Sequence, residues 1–223
     1  MSSDEARSTR GLMLMVVAPS GVGKTSLTRR LVADHSDLHL SISATTRSPR
    51  PGEHDARDYH FVDRPTFDSM IEAGEFLEWA EVYGNRYGSP KIPIMDALSK
   101  GQSTLFDIDF QGAMKIHAQA PEDSVLVYIL PPSLAEMSRR LHARSQDSEE
   151  VIRERIARAK EEVENWKTFD YVVMNDDFDR AYAELAHIYH AERRKASRNT
   201  WIQPFVDELL AEEIPDGGEG GGR

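Results

Sequence analysis

Residues 18–25 read APSGVGKT, two glycines followed by a lysine and a hydroxyl, and those residue types at that spacing suit the holding of phosphate. The stretch follows the pattern GxxxxGK(S/T) except that Ala18 stands in the first glycine position, where a small residue serves. Gly21 and Gly23 let the backbone turn and bring its N–H groups close to phosphate oxygens, Lys24 adds a solvent-facing cation, and the Thr25 hydroxyl suits Mg2+. Pro19, Ser20, Val22 and Ser26 complete the stretch expected to surround ATP. The loop predicts a bound nucleoside triphosphate and leaves the acceptor open.

A second set of groups suits another phosphate. In SISATTRSPRPGEHDARDYHF, Arg47 and Arg50 flank a proline turn and Tyr59 begins a short strand, so two guanidinium groups and a phenol can grip one anion. In GEFLEWAEVYGNRYGS, Glu78 falls in a partly apolar strand, with Tyr87 and Ser89 in a glycine turn. Asp107 and Asp109 sit where a strand ends in FDIDFQG, at the carboxyl edge that borders the ligand crevice of parallel sheets. One of them is expected to meet the water shell of magnesium or the acceptor nucleotide, and the sequence does not choose. Arg140 and Arg144 lie four apart, hence on one helical face, and Arg155 follows a turn that can fold it back towards them.

The elements that must position these groups are legible as apolar runs between turn residues. LMLMVVA (12–18), STLFDID (103–109), SVLVYIL (124–130) and DYVVMN (170–175) lack alternation, as strands covered on both faces do, and amphipathic stretches between them predict a largely parallel α/β sheet. The helix SLTRRLV follows the phosphate loop. LSIS, YHFV and FLEWAEV are short, half-polar and separated by Pro- and Gly-rich turns, which predicts a small inserted lobe with antiparallel pairing. From Asp147 a capping box opens a helix with Ile152, Ile156, Ala159, Val163 and Trp166 on its apolar face. Near the end, TWIQPFVDELLAEEI carries enough apolar residues for a docking helix or for packing on its own core, and GGEGGGR reads as a tail.

Composition narrows the function class. A formal charge of −11 over 223 residues argues against non-specific nucleic-acid binding, so phosphate recognition has to be local. With no cysteine there is no disulfide, thiolate metal site or cysteine nucleophile, which suits a cytoplasmic protein. The eight histidines show no ligand spacing. The sequence reads without a signal peptide or membrane anchor, and it leaves a homodimer open.

The chain resembles the guanylate kinase family of P-loop nucleoside monophosphate kinases from about residue 12 to about residue 198. APSGVGKT, SATTRSPRPGE, DYHF, FLEWAEVYGNRYGS, FDIDFQG, ILPPS, SQDSEE and VMNDD carry the resemblance in order. It implies a P-loop kinase core with a parallel sheet flanked by helices, an inserted GMP-binding lobe (about 43–102) and a helical lid (about 139–158). These lie within a domain at 11–211, between a flexible tail at 1–10 and a disordered tail at 212–223. It implies that Arg47, Arg50, Tyr59 and Tyr87 bind the GMP phosphate with Glu53 supporting the arginines, and that Gly88, Ser89, Asp107 and Asp109 border GMP. Ser43 and Glu78 would read guanine. Chemistry agrees, because an acceptor-only carboxylate matches the two donors of the guanine edge and a serine hydroxyl can donate to the carbonyl. Arg140 would lie near adenine and Asn175 in the ATP site, Arg144 and Arg155 would lie near the transferring phosphoryl group, and Lys24, Arg144 and Arg155 would stabilise its charge, with Arg47 a further catalytic residue. Ser145 replaces a more usual glycine in the lid turn. The activity implied is transfer of the ATP γ-phosphoryl to GMP or dGMP in purine nucleotide metabolism. A catalytically inactive binding module of the same fold, or a P-loop kinase with another acceptor such as AMP, are the alternatives; the retained Lys24 and arginines oppose the first, and Glu78 and Ser43 the second.

Overall fold

The computed structural model describes residues 8–82, 84–144 (Arg144 by its backbone alone) and 149–212. Its centre is β1 (Met13–Val17), fully buried along its length. Leu12, Leu14 and Val16 point into one apolar cluster, while Met13, Met15 and Val17 point into another on the opposite face. That is why the run shows no alternation in sequence: both faces are covered. β1 is flanked by β7 (Ser103–Asp107) and β8 (Ser124–Leu130), and β2 (Leu38–Leu40) and β9 (Tyr171–Met174) form the edges. All pairings in this five-stranded sheet, ordered β2-β7-β1-β8-β9, are parallel.

Helices α1 (Lys24–Asp34) and α7 (Phe178–Arg193) supply Leu27, Leu31, Leu185 and Tyr189 to the first cluster. Helices α3 (Lys91–Ser99) and α4 (Phe110–Gln119) supply Ile94, Leu98, Ala113 and Ile116 to the second. Because α3 packs into the main core, the expected lobe at 43–102 closes earlier. Its sheet comprises β3 (Ala44–Thr45), β4 (His60–Phe61), β5 (Phe76–Val82) and β6 (Asn85–Pro90), ordered β4-β3-β6-β5. With α2 (Arg64–Glu72) it encloses a separate small core of Ala44, Phe67 and Phe76, the two rings stacked at 4.5 Å.

Several expectations are corrected. β3 and β4 pair parallel, so the lobe sheet is mixed rather than antiparallel. The LSIS run belongs to no lobe strand: Leu40 ends β2 at the edge of the main sheet, and the lobe begins at Ala44. Tyr87 and Ser89 lie in β6, not in a turn; Gly84 makes the turn. Gly88 is a buried strand residue whose Cβ would stand 2.8 Å from the Phe76 ring, so its absent side chain makes room for the lobe core. β7 stops at Asp107, and Asp109 instead caps α4, its Oδ1 accepting from the Gly112 N–H at 2.8 Å.

The lid pair is α5 (Leu134–Arg144) and α6 (Glu149–Glu162). Asp147, and the capping box placed on it, lies outside the described residues, as does Ser145. Trp166 is 43% exposed, because after Glu162 the backbone tightens into a 3-10 segment (Val163–Thr168) and the helical period lapses. Of the tail expected at 1–10, residues 1–7 lie outside the described residues. Arg10 is held by a two-pronged ion pair to Asp123 (both contacts 2.6 Å). At the other end, α8 (Ile202–Ala211) buries none of its residues, and residues 213–223 lie outside the description.

Candidate active site

The phosphate loop runs from the end of β1 to the start of α1. Helices α2, α4 and α7 are each capped by an aspartate side chain, whereas α1 begins at Gly23 with no side-chain cap. The donors of its first turn are thereby left for a ligand anion. Gly21 and Gly23 take φ of 88° and 101°, a left-handed geometry that costs a residue with a side chain. Behind the loop, Asn175 donates from Nδ2 to the Val22 carbonyl at 2.7 Å, and Arg140 donates from Nη1 to Val22 (3.2 Å) and Asn175 (3.1 Å) carbonyls. A Cβ on Gly23 would stand 2.7 Å from Asn175 Nδ2. Gly23→Ala is therefore expected to raise the dissociation constant for ATP by about tenfold, the equivalent of ~1–2 kcal/mol of backbone strain. Titration of the variant with ATP checks this; affinity within twofold of wild type would show that the loop does not need this shape.

Lys24 is not the solvent-facing cation expected. Its side chain is 20% exposed, with Nζ 2.7 Å from Asp107 Oδ1 and donating to the Ile108 carbonyl at 3.0 Å. The ammonium thus meets the carboxylate at the carboxyl end of β7. Thr25 Oγ1 stands 3.5 Å from Asp107 Oδ2. Loop, Asp107 and Asp109 line a cavity of about 650 Å³, together with Arg155 and Glu162 from α6 and Leu141 from α5. Arg155 thus lines the same cavity as the loop; the side chain of Arg144 lies outside the described residues.

Glu162 and Leu141 were not legible as site residues. Glu162 sits in the acidic string KEEVE, which reads as a solvated helix face, yet burial pushes its carboxyl up, with Arg158 and Lys24 pulling the other way. Glu136 braces the other end of the lid: it accepts from Arg139 at 2.7 Å and from Arg140 at 2.8 Å, contacts that hold its pKa down at about 2.

The segment Asp107-Ile108-Asp109 also lines a second cavity, about 440 Å³, whose other walls come from both sheets. Ser43, Tyr59, Glu78, Tyr87 and Ser89 line it. Glu78 projects from β5 opposite Ser89 in β6, and Ser89 Oγ donates to Glu78 Oε1 at 2.9 Å. Burial raises the Glu78 carboxyl above the usual range, while the Ser89 hydrogen bond and Lys115 oppose the shift. Arg47 and Arg50 are not among the residues that line this cavity; they sit on the loop between β3 and β4, Arg47 beside Tyr59. Arg47 Nη2 donates to Glu53 Oε1 at 2.9 Å, its guanidinium lies 5.3 Å from the Tyr59 ring centroid, and the Arg50 N–H donates to Glu53 Oε2 at 2.7 Å. Glu53 is the clamp of this loop, its pKa lowered chiefly by Arg47 and then by the Arg50 N–H. Tyr59 and Tyr87 meet edge to face at 6.1 Å and join the arginines to the cavity. Lys115 and Gln111 of α4 also line it and were not anticipated; as a polar i, i+4 pair on a helix they carry no sequence signal beyond an exposed face.

Among the described residues no three histidine or acidic groups converge to hold a metal, and no helix is long and apolar enough to cross a membrane. A magnesium ion carried on substrate phosphates needs only one or two protein oxygens besides waters, and the Thr25 hydroxyl beside the Asp107 carboxylate fits that requirement.

The family model described as guanylate kinase matches residues 10–192. A guanylate kinase of Caulobacter vibrioides is 77% identical over 205 residues, covering 92% of this chain and 96% of that protein. One from Maricaulis maris is 52% identical over 201 residues, covering 90% and 92%. The crystal structure of guanylate kinase from Anaplasma phagocytophilum superposes with a TM-score of 0.71 at 32% identity, covering 93% of this chain and all of that one.

Proposed function

The chain belongs to the guanylate kinase family and transfers a phosphoryl group from ATP to GMP; from that premise we propose which residues carry the reaction and how. The single observation that supports the assignment best is the pair of cavities meeting at Asp107-Ile108-Asp109, one lined by the phosphate loop and the other by Glu78 and the lobe tyrosines. Donor and acceptor can therefore approach from opposite sides of one short segment, as in-line transfer requires.

In the donor cavity, the loop N–H groups hold the ATP phosphates and Lys24 exchanges its Asp107 partner for a phosphate oxygen. Thr25 and Asp107 would hold the Mg2+ that accompanies ATP, which would supply positive charge at the donor phosphates. Arg155 and Arg144 reach the transferring group from the lid, while Arg140 and Asn175 brace the loop from behind. In the acceptor cavity, Glu78 accepts from both donors of the guanine edge, Ser43 donates to the carbonyl, and Ser89 fixes the carboxylate. Arg47, Arg50, Tyr59 and Tyr87 hold the GMP phosphate, with Glu53 keeping the arginines on one side. No general base is needed, since the acceptor phosphate is already anionic at neutral pH. The same contacts serve dGMP, because none uses the ribose 2′-hydroxyl. We place the protein in the cytoplasm, where both nucleotides are made and where a cysteine-free chain loses nothing.

Removing one acceptor contact tests the arrangement. Arg47→Ala or Tyr59→Phe should raise KM for GMP by about 10- to 30-fold and leave KM for ATP nearly unchanged, since each removes about 1.5–2 kcal/mol from one substrate only. A coupled ADP-release assay with each substrate varied in turn reads both constants. Equal rises for the two would place these residues outside the acceptor site.

A further inference from the structure

We propose that Lys115 and Gln119 are positioning residues for base recognition, holding β5 from α4 so that Glu78 keeps its place at the guanine edge. The proposal rests on the reading of Glu78 given above. β5 is the edge strand of the lobe sheet, and its ladder with β6 is irregular between Phe76 and Glu78. At this bulge Phe76 enters the lobe core while Leu77, fully buried, enters the main core. Lobe and core thus meet at the residues just before Glu78. A bulge re-aims the side chain that follows it and leaves backbone groups outside the ladder.

Two carbonyls of this edge strand, one at the bulge and one just beyond it, are met from α4. Gln119 Nε2 donates to the Leu77 carbonyl at 2.5 Å, and Lys115 Nζ donates to the Trp79 carbonyl at 3.2 Å. The two side chains are four apart, so one helical face grips the strand immediately before and immediately after Glu78. Lys115 in addition lines the acceptor cavity, and its charge favours the ionised form of Glu78 against the effect of burial. The same helix begins at Asp109, which borders both cavities and caps it. Through α4 the reader of the base is referred to the segment where the phosphates meet.

Kinetic constants for GMP, IMP and ATP should be measured for wild type, Lys115→Met, Gln119→Leu, the double variant, Lys115→Arg, and Glu78→Gln as reference. The expected result is a KM for GMP about tenfold higher in the double variant, with KM for ATP within about twofold, a lowered preference for GMP over IMP, and near-wild-type behaviour of Lys115→Arg. A common rise in both KM values, or a GMP-to-IMP preference unchanged in the double variant while Glu78→Gln alters it, overturns the proposal. If Glu78→Gln itself leaves that preference unchanged, the reading of Glu78 fails instead. Should the double variant not fold, the single variants decide on the same ratio.

Discussion

Lys24→Ala is expected to lower kcat for phosphorylation of GMP by about two to three orders of magnitude while moving the thermal midpoint little. The size follows from the role proposed for the ammonium: it would meet charge on the peripheral phosphate oxygens in a site lined by the loop and lid, where one lost donor costs about 2.7–4 kcal/mol of transition-state stabilisation. The small effect on stability follows from the other partner. Its ion pair with Asp107 is partly exposed on both sides, 20% and 30%, and such pairs contribute ~1 kcal/mol or less. Lys24→Met, which keeps most of the aliphatic stem, should behave alike if charge is the cause. The check is steady-state turnover beside a thermal melt. Turnover within tenfold of wild type, with an unaltered melt, would remove Lys24 from the transition state.

Glu78→Gln is expected to lower kcat/KM for GMP by about two to three orders of magnitude and that for IMP by much less. In the arrangement proposed, the acceptor-only carboxylate would meet both the ring N–H and the amino group of guanine, and an amide would leave one donor facing another donor. IMP lacks the amino group and never made that second bond. Ser89, whose hydroxyl already points at Glu78 Oε1, would turn to the amide oxygen and leave the amide NH₂ facing the base. The ratio of the two specificity constants in wild type and variant is the measurement. An unchanged ratio would mean that the amino group is read elsewhere, and Ser43 would become the next residue to test.

What the sequence made legible were features carried by one element at a time. The half-polar strand at 76–82 and the apolar one at 124–130 coincide with the runs read in the sequence because turn residues or short polar stretches bound them on both sides. The phosphate loop was legible because its glycines and Lys24 are contiguous. Features that depend on two elements were not. Gly84 and Gly88 look alike in GNRYG, and only the Phe76 ring packed over Gly88 shows which of them belongs in a strand. The parallel β3–β4 pair needs an intervening crossover that no local pattern announces. Lys24 reads as free because its partner, Asp107, is distant in sequence and comes beside it only through the parallel register that places Val16 opposite Asp107. Lys115 and Gln119 carry no signal in the sequence because their acceptors are backbone carbonyls, which no side-chain pattern encodes.

The segment Asp107-Ile108-Asp109 faces both cavities, and this divides the chain into positions that evolution can tune independently and positions that it cannot. In the arrangement proposed, a change in the lobe would act chiefly on the acceptor and one in the lid on the donor and the group in transit, so preferences for base and for triphosphate could drift apart. A change in these three residues is pleiotropic: it shifts both substrates against each other and alters the in-line distance between them. Insertions and deletions should accordingly be tolerated in the loops at the far ends of the lobe and lid, and purged from this one turn of backbone.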